Sequence, residues 1–122
     1  MNYGHTLGHA IESYFLESDE HELLLHGEAI AVGMILEGFL SYKLTNLSLD
    51  ELTAIKSTFL SRYKKVSFSD TTIENILKLL KFDKKNSHGN VNFVLLKNIG
   101  ETIIDVKVPQ DLFLQAFAYY KE

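Results

Sequence analysis

The sequence predicts a mainly α fold: a helical domain of about five helices with one small β-hairpin. Apolar residues recur at helical spacing through five separate stretches. After residue 90 the period changes, and β-branched and apolar runs flank Asn98-Ile99-Gly100. Between the periodic stretches stand helix-start and break signals, of which Ser48-Leu49-Asp50-Glu51 is the clearest.

Taken in order, Gly4 to about Leu16 reads as the first helix, with Leu7, Ala10, Ile11, Tyr14 and Phe15 on one spacing. Ser18, Asp19 and Glu20 interrupt it. A second helix is expected from His26 to about Tyr42. It is apolar around most of its circumference, which predicts a central, buried position. Gly33 and Gly38 lower its intrinsic propensity, and a close approach by a neighbouring helix would account for them. Ser48 and Glu51 form a capping box opening a third helix through Leu52, Ile55, Phe59 and Leu60.

Ser69 or Asp70 can cap a fourth helix, which carries Ile73, Ile76, Leu77 and Leu80 and is expected to end near Phe82. Asp83 to Asn90 reads as a loop by composition. Val91–Leu96 and Glu101–Val108 read as the hairpin strands. Pro109 suits the first turn of a last helix, where its missing N–H costs little. The aromatic residues of that helix are expected in the core or at an interface.

The chain has 122 residues, 46% hydrophobic and 23% charged, which fits one domain with a real core. A net charge of −4 and only isolated Lys pairs give nothing that favours nucleic acid. With no cysteine, disulfide scaffolds and thiolate zinc sites are excluded, leaving His, Asp and Glu as possible metal ligands. No apolar run reaches the length of a membrane span, and no signal-peptide pattern opens the sequence, so a cytoplasmic location is expected. The histidine motif starts at residue 2 with no preceding element to brace it. That leads us to expect a later part of a longer protein.

The stretch Asn2–Met34 holds four of the five histidines. His5 and His9 are four apart, so a helix puts them on one face. His26 returns directly before Gly27-Glu28. Such imidazoles suit metal binding and proton transfer, although each could instead cap or pack. Two imidazoles are short of a catalytic zinc site, which needs three protein ligands and an open position. Glu12 and Glu28 are the nearby carboxylates, and a third ligand could also lie outside the chain. Glu28 better suits stabilising a helix start through the macrodipole.

Asn-Tyr-Gly-His-Thr-Leu-Gly-His-Ala-Ile-Glu from Asn2, followed by Leu-His-Gly-Glu-Ala-Ile-Ala-Val-Gly-Met from Leu25, resembles the signature of the 3-dehydroquinate synthase family. Phe82-Asp83-Lys84-Lys85-Asn86, then Val94-Leu95-Leu96 with Ile99-Gly100, resemble its later segments in the same order. The similarity covers essentially the whole chain and corresponds to that enzyme's helical C-terminal domain, without the N-terminal domain that holds NAD. The resemblance implies that His5 and His26 bind zinc (or cobalt), with the third ligand a glutamate preceding Met1. It makes His9 the residue that handles protons and substrate, and Asn2 a substrate contact. One of Lys84 and Lys85 contacts substrate, with Lys84 preferred. His21 lacks the Gly-Glu that follows His26 and is not taken as a ligand; His88 is read as a solvent-facing loop residue.

The implied reaction converts 3-deoxy-D-arabino-heptulosonate 7-phosphate to 3-dehydroquinate plus phosphate, in the shikimate pathway of aromatic amino acid biosynthesis. NAD takes a hydride from the ring alcohol, which acidifies a neighbouring C–H and lets phosphate leave. The hydride then returns, the ring opens and an aldol closure follows. The resemblance further implies a homodimer for the full-length enzyme and inactivity for the isolated chain. Two other readings compete: a metal-dependent alcohol or polyol dehydrogenase of the same architecture, and a helical interaction domain with structural histidines.

Overall fold

Val32, Ile35, Leu36, Phe39 and Leu40 leave hardly any polar face on one helix, and that helix sits at the centre of the molecule. The structure, a computed structural model, describes residues 3–17, 26–86 and 93–122, with the side chains of 17 and 82–86 outside that description. The elements are α1 (His5–Glu17), α2 (His26–Leu44), α3 (Leu49–Arg62), α4 (Asp70–Asn86), β1 (Phe93–Asn98), β2 (Glu101–Val106) and α5 (Gln110–Lys121). The mainly helical fold with one hairpin is therefore as expected. Helix α2 packs on α1, α3, α5 and β1, and α4 closes the far side of α1.

The α1–α2 crossing depends on small residues. A Cβ on Gly33 would lie 2.3 Å from the Gly4 carbonyl oxygen and 2.9 Å from Gly8 Cα. Gly33 thus marks where the two backbones touch, the close approach expected from the sequence. At Gly38 the neighbours are side chains, Tyr3 Oη at 3.2 Å and Leu52 Cδ1 at 3.3 Å.

Helix α2 ends where Asn46 takes a left-handed φ of 64° and the Leu47 N–H returns to the Ser41 carbonyl at 3.2 Å. Its last turns also hold the hairpin. Ser41 Oγ accepts the Leu96 N–H at 2.9 Å, and Thr45 Oγ1 donates to the Leu96 carbonyl at 2.5 Å. Hydroxyls of a helix thereby stand in for a third strand along β1. At the other end of the hairpin Glu51 closes two contacts. Its Oε1 accepts from Ser48 Oγ at 2.9 Å within the capping box, and its Oε2 accepts the Ile99 N–H at 2.6 Å. The strands pair antiparallel, with Asp105 at φ 58° absorbing an extra residue in β2.

Three boundaries differ from expectation. Helix α4 runs on to Asn86, so Asp83–Asn86 continue the helix as backbone and are not loop. No proline or glycine intervenes before Gly89, and Lys and Asp cost a helix end little. Ser69 is its cap, accepting the Thr72 N–H at 3.1 Å. Strand β2 stops at Val106 rather than Val108. Pro109 is the N-cap residue of α5, at ψ 143°, and does not lie inside the first turn; its carbonyl accepts the Leu112 N–H instead.

Helix α5 buries Phe113, Phe117 and Tyr120, and Tyr119 stacks on Phe39 at 5.3 Å. Its last carbonyls are held by two lysines from outside the helix. Lys56 donates to Tyr119 and Glu122, and Lys65 donates to Lys121 and Glu122. Among the described residues no helix is long and apolar enough to cross a membrane.

Candidate metal centre

Helix periodicity puts His5 and His9 on one turn of α1, and α2 begins at His26 beside them. The His5 and His9 rings meet edge to face at 5.3 Å between centroids, and the His9 and His26 rings are 6.3 Å apart. The three imidazoles therefore gather at the mouth between α1 and α2. His9 and His26 are exposed there, and His5 is half-buried.

Two of the rings have one nitrogen held from behind. His5 Nδ1 lies 3.1 Å from the Tyr3 carbonyl, which can only accept, so Nδ1 carries the proton and Nε2 the lone pair. His26 Nδ1 lies 2.9 Å from Glu12 Oε2, which imposes the same tautomer. A bonded rear nitrogen with its partner left as donor atom is how ligating histidines are oriented. Imidazole nitrogens presented in this way suit a zinc or cobalt ion. Among the described residues no group of three His, Asp or Glu side chains could hold an ion. Glu12, considered from the sequence as a possible ligand, is engaged with His26. Glu28 lies in the first turn of α2, where its charge suits the helix dipole.

Asn2, His21 and His88 lie outside the described residues. Lys84 and Lys85 belong to the last turn of α4 as backbone, and their side chains are likewise outside the description. A cavity of about 730 Å³ lies away from the histidines, between the α3–α4 connection and α5.

Sequence reasoning missed Glu37. It sits in the middle of α2 with none of its surface exposed. Its Oε1 accepts the Gly4 N–H at 3.0 Å and its Oε2 the Leu7 N–H at 2.9 Å. Burial pushes its carboxyl up to about 8, against the two amide bonds, which pull the other way. The same burial, with the Glu37 charge adding to it, holds the Tyr3 phenol far above its usual range. The only signal in the sequence was an acidic residue interrupting an otherwise apolar helix surface.

Comparison with solved structures defines the class: the chain has a fold shared with part of a group of synthases. The chain superposes on 2-epi-5-epi-valiolone synthase of Streptomyces hygroscopicus, a structure with NAD+ and Zn2+ bound, with a TM-score of 0.75 and 22% identity. The match covers 98% of this chain and 32% of that one. It also superposes on 2-deoxy-scyllo-inosose synthase, complexed with carbaglucose-6-phosphate, NAD+ and Co2+ (TM-score 0.72, 27% identity, 96% and 32% coverage).

Within that class the chain belongs to the 3-dehydroquinate synthase family, whose C-terminal family model matches residues 1–86. It is 35% identical over 122 residues to 3-dehydroquinate synthase of Parabacteroides distasonis, covering 100% of this chain and 34% of that protein. It is 38% identical over 114 residues to the pentafunctional AROM polypeptide of Mycosarcoma maydis, covering 84% and 6%. The chain spans about a third of the length of the first of these relatives.

Proposed function

We propose that the chain supplies the metal- and substrate-binding half of a 3-dehydroquinate synthase, a carbon–oxygen lyase of the shikimate pathway. The reaction is conversion of 3-deoxy-D-arabino-heptulosonate 7-phosphate to 3-dehydroquinate and phosphate, with NAD held by sequence beyond these 122 residues. The observation that carries this is the gathering of His5, His9 and His26 in one mouth, in a chain of this family.

His5 and His26 are the metal donors through Nε2, with Tyr3 and Glu12 holding their rings. When bound, a divalent cation supplies Lewis-acid polarisation of the substrate's alcohol oxygen. His9 neighbours both rings at the exposed side, where it can take and return a proton on the bound sugar. Asn2 and a lysine from the Lys84–Lys85 pair bind the substrate, the lysine as a compact positive charge for its anionic groups. The protein acts in the cytoplasm as a homodimer on this small sugar-acid phosphate, with no nucleic acid or membrane partner.

The test is phosphate release from the heptulosonate phosphate by protein carrying both the chain and its NAD-binding portion. Release with dehydroquinate as product supports the reading. Oxidation of a polyol without phosphate release would point to a dehydrogenase, and cyclisation of a different sugar phosphate to one of the neighbouring synthases. Elemental analysis of His5→Ala and His26→Ala forms must show zinc loss, and unchanged zinc would remove the metal assignment.

A further inference from the structure

Helix α1 begins in an unusual way. The first amides of a helix need acceptors, and the residue just before the helix ordinarily supplies one from its own Ser, Thr, Asp or Asn side chain. Here that residue is Gly4, which has no side chain. It cannot acquire one cheaply, because its φ is +82° and a Cβ would meet Met34 Cγ at 2.5 Å. The close crossing with α2 thus removes the local cap.

Glu37 supplies what Gly4 lacks, from the other helix. One carboxyl accepts both the Gly4 and the Leu7 N–H, bracketing His5 on either side in the chain. The same turn is fastened a third time by the Tyr3 hydroxyl, which donates to the Met34 carbonyl. Gly33 lets the two backbones touch, so Glu37, four residues further along α2, arrives directly beneath the first turn of α1. A carboxyl with none of its surface in water is costly to keep, and an apolar residue would fill the α2 surface at less cost. Its two bonds end on the turn that carries His5, and nowhere else among the contacts described.

We propose that Glu37 is a positioning residue of the metal centre: by capping α1 from α2, it fixes where His5 stands relative to His26. This rests on the reading of His5 and His26 as metal donors. The Glu37 carboxyl bonds to backbone amides and to neither donor ring. It acts through the backbone of the turn, and Glu12 acts separately on His26.

The experiment uses protein carrying both the chain and its NAD-binding portion, with zinc affinity measured by competition against a chromophoric chelator. The Co2+-loaded form is compared by its d–d absorption. Glu37→Gln keeps the shape and one acceptor, and Glu37→Asp keeps the carboxyl on a shorter arm that reaches one amide but not both. Far-UV circular dichroism and urea unfolding report the fold of each. We expect folded variants with zinc affinity lowered about 10- to 100-fold, the range for losing a group that orients a ligand. The Co2+ spectrum should shift, and amide exchange should quicken at Leu7 while that of α3 stays unchanged. Lowered stability with unchanged affinity and spectrum, in either variant that folds, would make Glu37 merely structural and overturn the proposal. So would failure of both variants to fold, since the residue would then be required for the core itself. Wild-type protein that binds no zinc, or zinc content indifferent to His5→Ala, would instead sink the metal assignment beneath it.

Discussion

His26 Nδ1 lies 2.9 Å from Glu12 Oε2, so the first residue of α2 is tied to the middle of α1 across the mouth where the imidazoles gather. The contact sits at the surface, with the His26 side chain 62% exposed, and an exposed pair of this kind contributes about 0–1 kcal/mol to stability. Its consequence is orientation.

Glu12→Ala is therefore expected to leave the unfolding midpoint nearly unchanged while weakening zinc binding about 10- to 100-fold. Glu12→Gln, which still offers an acceptor, should fall between. Chelator competition beside thermal unfolding checks both, and equal zinc affinity in all three proteins would exclude an orienting role.

Gly33→Ala should be among the most damaging single-methyl additions in the chain. Its new Cβ would meet backbone atoms of Gly4 and Gly8 below 3.0 Å, and backbone cannot step aside without parting α1 from α2. A loss of about 1–3 kcal/mol or more is expected by urea unfolding. Gly27→Ala is the control. Its nearest neighbour is Tyr63 Oη at 3.5 Å, an ordinary contact, and alanine's better helix propensity makes a neutral or slightly stabilised protein the expected result.

Stability should depend on pH through Glu37. Folding raises its carboxyl from an ordinary 4.5 to about 8, so the folded state holds a proton that the unfolded state has released. The contribution is fully present below the unfolded value and is lost as pH rises through the folded one. Unfolding free energy should fall between about pH 4.5 and 8, by at most about 1.4 kcal/mol per unit for one proton. Glu37→Gln should flatten that slope. Urea unfolding at pH 5, 7 and 9 gives the sign, and a slope that persists in the variant would assign it to other groups.

The capping box of α3 and the hairpin turn share Glu51. The Ile99 N–H, then Ser48, hold its carboxyl below the usual range, so its contacts persist above the ordinary carboxylate pKa and are lost as pH falls through the depressed value. Ser48→Ala should cost about 1 kcal/mol as a lost cap. Glu51→Ala should additionally speed amide exchange at Ile99, and exchange there equal to wild type would show the turn to be held by the strands alone.

Much of this molecule was legible as pattern. Periodicity located α1, α2, α3 and α5, because burial of one face leaves a repeat that local order preserves. The Ser48 cap was readable for the same reason: donor and acceptor are three residues apart. Where a signal depended on a boundary, as at the end of α4 or at Pro109, composition misled, since polar residues suit a helix end as well as a loop.

By itself, then, the sequence determined a helical domain with a late hairpin, a central apolar helix, and histidines 5 and 9 one turn apart; these follow from spacing along a single strand of chain. Tertiary structure alone decided that His26 meets His9, that Glu12 takes its rear nitrogen, and that Glu37 caps a helix it does not belong to. Each of those contacts joins residues 14 to 33 positions apart, and it exists only because Gly4, Gly8 and Gly33 let two backbones come together. No periodicity records such a meeting, because the physical cause lies in the crossing of two helices rather than in either one.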